Sequence, residues 1–288
     1  MNGSSKLKDR IKAHSPTALW SFLHDIRHSY VRPFLGKISG GLGSSLSGRW
    51  ALSKLKASRD TQISNYFKNF PVRKLQLGAG SNNLPGWLNS EGFAPSSFTH
   101  SFKIAGDYIF LDVCQPFPFS DNSIDYIFHE HVMEHLNYHD GQFMLRECYR
   151  ILKPGGRIRI ATPDLEYFVG LYGEQTSENQ KRFLNEYVRF NSDVWSADLK
   201  HVRGNHAVFV MNHNFRAWGH QFIYDYRTMA SALEAVGLVD TERQLPQESK
   251  DSNFRGLEFR KEIVGIFDAL IVEAVKPVKP AQNQSVKG

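Results

Sequence analysis

The sequence predicts an α/β fold in which a mostly parallel sheet is flanked by helices. Two observations lead to this prediction. Short apolar segments alternate with a helical pattern after residue 70, and the turn Gly78-Ala79-Gly80 follows the first of these segments. Strands that alternate with helices favour parallel pairing through right-handed crossovers. The 288 residues suffice for one full α/β core with an appendage, or for two small domains.

Seven segments are strand candidates. In order they are Lys74–Leu77, Trp87–Ser90, Tyr108–Asp112, Tyr126–His129, Arg157–Ala161, Leu238–Gln244 and Phe267–Ala274. A helix is predicted around Asp140–Leu152, where apolar residues fall on one face, and Pro154-Gly155-Gly156 is expected to end it. A second amphipathic helix is predicted over Tyr226–Val236, with Gly237 as its cap.

Residues 1–70 form a predicted extension that is strongly basic. Met1–Lys74 holds eight lysines and six arginines against three aspartates, a net charge of +11, so the total of +6 leaves −5 for the rest. Leu19–Tyr30 has the spacing of a short amphipathic helix, and Ile38–Gly48 reads as a flexible Gly/Ser linker. The helix either contacts an anionic membrane surface or acidic partner, or is solvated or packed on the domain.

Composition also bears on location. The sequence lacks an apolar run of the 18 or more residues that a membrane span needs, and its N-terminus lacks the apolar segment of a secretory signal. Cys114 and Cys148 have no metal-type spacing, which is typical of reduced cysteines. We therefore expect a cytoplasmic protein, and the surface-binding interpretation of the basic extension would place it at the inner membrane surface.

Acidic residues follow two of the predicted strands beside the glycine turn. A strand that ends in Gly-x-Gly lets backbone amides approach a ligand, and a carboxylate at the tip of the next strand, here Glu91, can bind a ribose diol. Taken alone, Glu91 could be a solvated strand end and Asp112 a turn residue. NAD is a minor alternative, because Asn83 holds the place of the third glycine and Pro85-Gly86 leaves little room for a helix.

Further motifs follow in a fixed order. After the glycine turn and GWLN come YIFLDV, PFPFSDNSIDYI and RILKPGGRIRIATP. With these motifs the sequence resembles class I S-adenosylmethionine-dependent methyltransferases of the methyltransferase type 11 family, over about Val72–Lys276. The resemblance implies a Rossmann-like, seven-stranded and mostly parallel sheet with one antiparallel edge strand and helices on both faces. The last two strands would form an antiparallel pair at the edge.

The resemblance also implies S-adenosylmethionine as cofactor and a set of residues that bind it. Gly78, Ala79 and Gly80 would lie against methionine and ribose, Glu91 would bind the ribose hydroxyls, Asp112 with the amide of Val113 would read adenine, and His129 and Glu130 would border the methionine moiety. The sequence departs from the wider class at two places. Gln76 replaces an acid that helps hold the ammonium group, and Ser81-Asn82 replaces a further glycine.

Histidines gather after the fourth predicted strand. His131 and His135 are candidates for a general base, since an imidazole with pKa near 6.5 suits removal of a proton at neutral pH; packing or capping histidines are the alternative. His131, Glu134 and His135 also spell H-x-x-E-H, an inverted zinc-protease signature. Because the motif follows a strand tip and not a long helix, we expect no metal. His201, His206, His213 and His220 form a second group without metal-type spacing.

An aromatic-rich insert spans about residues 164–218 and exceeds a normal connection. It either covers a substrate at the carboxyl ends of the strands or forms a satellite core. The methyltransferase domain is expected to span residues 71–276, and residues 277–288 read as a disordered tail.

The predicted function is methyl transfer from S-adenosylmethionine to a small-molecule or glycan-type acceptor. The glycan component is implied by the resemblance alone. The alternative is a catalytically silent methyltransferase-like module that binds a partner; Gln76 and the shortened glycine turn favour it. Nucleic-acid methylation is disfavoured, because the core is net acidic and lacks an Asn/Asp-Pro-Pro-Tyr motif.

Overall fold

The computed structural model describes residues 46–92, 108–173, 176–191, 199, 206–259 and 263–278. Within them, seven strands form one sheet: β1 (Lys74–Leu77), β2 (Leu88–Glu91), β3 (Tyr108–Phe110), β4 (Ile124–Glu130), β5 (Leu152–Pro163), β6 (Val239–Gln244) and β7 (Ala269–Val275). The α-helices are α1 (Leu46–Asn69), α2 (Tyr138–Ile151), α3 (Leu165–Gly170), α4 (Glu178–Phe190), α5 (Ala207–Arg216), α6 (Tyr226–Ala235) and α7 (Ile263–Ile266). Met133–His135 and Ala217–Gly219 are short 3₁₀ helices.

The sheet has the order β3-β2-β1-β4-β5-β7-β6. Strands β1 to β5 pair in parallel, whereas β7 runs antiparallel to both of its neighbours. The predicted α/β class, the seven strands and the antiparallel pair at the edge are confirmed; the reversed strand is β7, one position inside edge strand β6. The chain changes direction across the sheet between β1 and β4, and ligands of such sheets bind at the carboxyl ends beside this point.

The core lies on the central strands. Leu75 and Leu77 of β1 and Ile127 of β4 are fully buried. Helix α2 covers them with the apolar face that its sequence predicts, since Met144, Leu145, Cys148 and Ile151 are fully buried. Burial raises the pKa of the Cys148 thiol above its ordinary value, as expected for an inert structural cysteine.

Helix α2 ends differently from the sequence prediction. It stops at Ile151, so Pro154-Gly155-Gly156 lies inside β5. Lys276 at the end of β7 stabilises the helix terminus, because its Nζ donates to the carbonyl oxygens of Tyr149 at 2.7 Å and Leu152 at 2.8 Å. A lysine suits this place, since the last carbonyls of a helix carry partial negative charge. Gly237, by contrast, follows α6 with φ +95°, as a helix cap requires.

The end of α1 packs onto the sheet. Ile63 and Tyr66 belong to the main core. The Tyr66 hydroxyl accepts a hydrogen bond from the Lys74 amide at 2.9 Å and lies 3.0 Å from the carbonyl oxygens of Lys74 and Gly86. Residues 46–48, expected as the end of a linker, are helical. The predicted helix over Leu19–Tyr30 and the rest of the linker lie outside the described residues, as do residues 279–288 of the predicted tail.

The aromatic insert builds a second apolar cluster. Its buried members are Phe168, Leu171, Phe183, Leu184, Tyr187, Ala207 and Val210. They come from α3, α4 and α5 and the residue after α3, so the described part of the insert forms the satellite core that the sequence allowed. Among the described helices, none is both long and apolar enough to cross a bilayer.

A buried ion cluster fixes the segment after β6. Arg159 of β5 is fully buried, and its Nε donates to Glu258 Oε1 at 2.6 Å while Nη1 donates to Glu273 Oε1 at 2.5 Å. Nη1 also donates to the Glu248 carbonyl at 2.9 Å. One guanidinium therefore joins β5, β7 and the segment between β6 and α7.

We expect Arg159→Ala to lower the free energy of unfolding by about 3–5 kcal/mol, because Glu258 would stay buried without its cation and Glu273 would keep only the 4.0 Å pair with Arg157. Arg157→Ala is the matched control: its ion pairs measure 3.8 and 4.0 Å and its side chain is 34% exposed, so a loss below about 1 kcal/mol is expected. Urea denaturation measures both values. Equal losses of unfolding free energy in the two variants would contradict the role given to Arg159 in the buried ion cluster.

Candidate functional site

The glycine turn after β1 has the conformation that its sequence requires. Gly78 and Gly80 have φ values of +61° and +56°, in the left-handed region that favours glycine. The Ala79 amide donates to the Ser90 carbonyl at 2.9 Å, which holds the turn against β2. A ligand could therefore come close to the backbone of this turn at the carboxyl end of β1.

Gly78 also allows the segment after β4 to approach the turn. A Cβ atom at Gly78 would lie 2.6 Å from Cγ2 of Val132, closer than real Cβ contacts. The absence of a side chain is therefore needed for packing as well as for backbone conformation.

Glu91 closes the turn from the tip of β2. Its side chain is buried, Oε2 accepts a hydrogen bond from the Gly80 amide at 3.0 Å, and Oε1 accepts one from the Gly92 amide at 2.9 Å. The structure brings Glu91 to the glycine turn, as the sequence predicts; its role in ribose binding stays a prediction.

Asp112 lies beside the same edge of the sheet. The Leu111 amide donates to the Glu91 carbonyl at 3.0 Å, so the chain after β3 runs next to the tip of β2. Asp112 is exposed and its Oδ1 accepts from the Cys114 amide at 2.9 Å, while Val113 is half-buried. Asp112 therefore has the contacts of a turn residue, which was one of the two roles that the sequence allowed for it. Binding of adenine by Asp112 and the Val113 amide stays a prediction.

Two buried polar side chains near the turn have unused hydrogen-bonding atoms. Gln76 of β1 is 2% exposed, and its Oε1 has no partner among the described residues. His129 of β4 is fully buried, and neither ring nitrogen has a partner within that part of the chain. Burial lowers the pKa of His129 to about 4, against the opposing charge of Glu134, so the imidazole is neutral near pH 7. Unsatisfied buried polar groups are costly, so the fold keeps these two side chains in place at a loss of stability.

The other predicted residue at the β4 tip, Glu130, holds a different segment. Its Oε2 accepts from the Phe259 amide at 2.9 Å. Asn82 of the glycine turn donates through Nδ2 to the Leu257 carbonyl at 3.0 Å. The segment between β6 and α7 thus contacts both the turn and the end of β4.

His131 follows β4 in a strained conformation. Its φ of +53° lies in the left-handed region, which is unusual for a residue with a side chain. The His131 amide donates to the Ala161 carbonyl at 2.9 Å, and Nδ1 contacts Oε1 of Glu134 at 2.6 Å. Strain of this kind is concentrated at functional sites.

Glu134 is fully buried among these groups. Its Oε2 accepts from the Thr162 hydroxyl at 3.0 Å. Burial by itself would raise the pKa of Glu134, but His131, His135 and His220 hold that pKa well below its usual range. The side chain is therefore a carboxylate at neutral pH.

The structure places His220 beside this group; the sequence offered it as one of four histidines that could line the same mouth, without a spacing that indicates a metal site. The His135 and His220 rings lie 4.9 Å apart between centroids, although 84 residues separate them. The His213 ring lies 4.5 Å from the Trp218 ring, measured between centroids. Burial, together with the charge of His220, lowers the pKa of His213 to about 4. His206 precedes α5, and His201 lies outside the described residues. The only sequence feature that indicated a role for His220 was its place in a run of four closely spaced histidines, His201, His206, His213 and His220.

The H-x-x-E-H segment does not form the helix of a zinc protease. Only Met133–His135 is helical, as one 3₁₀ turn after the strand tip, which agrees with the expected context. His131 and His135 are therefore not presented as two ligands from successive turns of an α-helix.

Comparison with known proteins finds one family similar to the central part of the chain. Residues 75–160 match the family described as methyltransferase domain, and the match begins within β1 and ends within β5. No curated protein matches the chain.

Several solved structures are similar to the chain at low identity. A putative methyltransferase from Haloferax volcanii, in complex with a methyltransferase activator, is 17% identical over 80% of this chain and 96% of that chain, with a TM-score of 0.37. A possible histamine N-methyltransferase from Thermotoga maritima is 15% identical over 71% and 82%, with a TM-score of 0.40. An S-adenosylmethionine-dependent methyltransferase from Archaeoglobus fulgidus is 14% identical over 77% and 94%, with a TM-score of 0.41.

We expect Gly78→Ala to lower the free energy of unfolding by about 2–5 kcal/mol, from the left-handed backbone and from overpacking. Gly92→Ala is the matched control, because its added Cβ would meet only the Leu111 carbonyl oxygen at 3.6 Å and no positive φ is involved. Urea denaturation compares the two. A Gly92 variant that loses as much stability as the Gly78 variant would contradict the packing argument.

Proposed function

We propose that this chain, whose residues 75–160 match a methyltransferase-domain family, is an enzyme that transfers a methyl group from S-adenosylmethionine to a small-molecule or glycan-type acceptor. The observation that supports this proposal most directly is the glycine turn closed by Glu91. It combines close backbone with a buried carboxylate at the switch point of the sheet.

The residues present fit this cofactor. Glu91 would bind the ribose hydroxyls, while the backbone of Gly78, Ala79 and Gly80 would lie against the methionine and ribose portions. Asp112 and the Val113 amide would bind adenine. Gln76 supplies a buried carbonyl oxygen with no partner among the described residues, and an amide oxygen can accept a hydrogen bond from an ammonium group. When bound, the cofactor supplies a methyl group already activated by a positively charged sulfur.

The acceptor would approach beside the tip of β4. His131 and His135 follow that strand and are partly exposed, whereas His129 is buried and would border the methionine moiety together with Glu130. The protein's main contribution to methyl transfer would be alignment of donor and acceptor, which accounts for up to roughly 7–11 kcal/mol in well-oriented systems.

A catalytically silent binding module remains the second candidate. Two features favour it: the family resemblance implies an acid where Gln76 stands and a further glycine where Ser81-Asn82 stands. The two candidates differ in turnover and not in cofactor binding, so separate experiments are needed for each.

Calorimetric titration with S-adenosylhomocysteine tests the cofactor site. We expect the wild-type chain to bind and Glu91→Gln to bind about 10–100-fold more weakly, because a charged hydrogen bond contributes about 1.5–3 kcal/mol. Asp121→Asn is the control; this acid is 69% exposed and pairs with Arg150 away from the turn, so its affinity should stay within about twofold. Absence of binding by the wild-type chain would refute the proposed function.

Transfer of label from methyl-labelled S-adenosylmethionine tests turnover. Cell extract separated into glycan and small-molecule fractions provides the acceptors, and we expect label in at least one fraction with wild-type chain and a loss of about 10-fold or more with Glu91→Gln at subsaturating cofactor. If the chain binds cofactor and labels neither fraction, the silent binding module is the correct interpretation.

A further inference from the structure

We propose that Glu134, His135 and His220 form a binding site for one divalent transition-metal ion of the zinc type. Each residue offers one ligand atom, and the three atoms lie within 4.8 Å of one another. The site lies after the β4 tip, next to the proposed acceptor side.

The donor set suits zinc. Imidazole nitrogen and carboxylate oxygen are ordinary zinc ligands, and two histidines with one glutamate leave a fourth position open for water or substrate, as in catalytic zinc sites. Glu134 is fully buried, while His135 and His220 are half-buried. An ion held by them would be anchored in the interior, because Glu134 and the Nε2 atom of His135 are buried.

Backbone hydrogen bonds fix the two segments that supply the ligands. The Gln221 and Phe222 amides donate to the Glu134 carbonyl at 2.7 and 3.3 Å. The Gln221 side chain donates through Nε2 to the His135 carbonyl at 3.1 Å. Because these bonds join the residues next to His220 to Glu134 and His135, the three ligands are held together by the fold before any ion binds.

Outer contacts orient the side chains as they do at known metal sites. His220 Nδ1 lies 2.5 Å from the Asn214 carbonyl oxygen, so Nδ1 carries the proton and Nε2 has the lone pair that a metal needs. Thr162 and His131 bind the two oxygens of Glu134 at 3.0 and 2.6 Å. Such second contacts set the tautomer and orientation of metal ligands.

The position of the site indicates a use. This use rests on the proposed function, whereas metal binding does not. A zinc-type ion lowers the pKa of an oxygen bound to it, so the site favours an acceptor with a hydroxyl group. The hydroxyl would lose its proton to solvent, and its oxygen would form the new bond to carbon as the bond between methyl and sulfur breaks.

The test is zinc titration of the full chain, purified without a histidine tag and stripped with a chelator. We expect one Zn²⁺ per chain, and at least about 100-fold weaker binding by Glu134→Gln, His135→Ala and His220→Ala, since even outer contacts change metal affinity by 10–100-fold. His139→Ala is the matched control, because this histidine is 86% exposed on α2; its affinity should be unchanged. Co²⁺ substitution should give visible absorption bands that His220→Ala abolishes.

A urea denaturation midpoint close to that of the wild-type chain verifies that each variant is folded. His135→Asn or His220→Asn replaces the corresponding alanine variant if that variant does not fold. Absence of stoichiometric Zn²⁺ binding, or equal loss in the His139 and His220 variants, would overturn the metal site and leave a hydrogen-bonded histidine cluster. Zinc binding without cofactor binding would support the metal site and refute the proposed function. Cofactor binding without zinc binding would refute only the metal site.

Discussion

A single buried carboxylate, that of Glu134, joins the parts of the chain that meet after the β4 tip. Its oxygens contact His131 and Thr162, and its backbone carbonyl accepts from the two amides that follow His220. A buried charge is stable only when it is paired and hydrogen-bonded. The surrounding segments are thus constrained to keep these partners in place, and this constraint brings the end of the insert against the sheet.

The ends of the central strands divide into two neighbouring regions. On the β1–β2 side, the glycine turn and Glu91 provide backbone and one carboxylate, the features that a nucleoside ligand requires. On the β4–β5 side, histidines surround Glu134. The division follows from the topology, because the chain leaves β1 in one direction across the sheet and returns at β4 on the other side. Under the proposed function, donor and acceptor would be held side by side by different segments.

Much of the framework could be predicted from local patterns. The glycine turn, the apolar face of α2 and the cap at Gly237 depend on neighbouring residues, so their sequence signals are direct. The end of α2 could not be predicted in the same way, because Lys276, 125 residues beyond Ile151, binds its last carbonyls. The partners of Arg159 are equally remote: Glu258 and Glu273 lie 99 and 114 residues further along the chain.

The sequence alone predicted the α/β class, the seven strands and the conformation of the glycine turn, since these depend on short motifs whose spacing is fixed by strand and turn geometry. Only the tertiary structure decided which histidines meet. H-x-x-E-H suggested His131 and His135 as a pair, yet the fold places His135 beside His220 because backbone hydrogen bonds join two segments 84 residues apart or more. Contacts across such separations follow from packing, which no local pattern records.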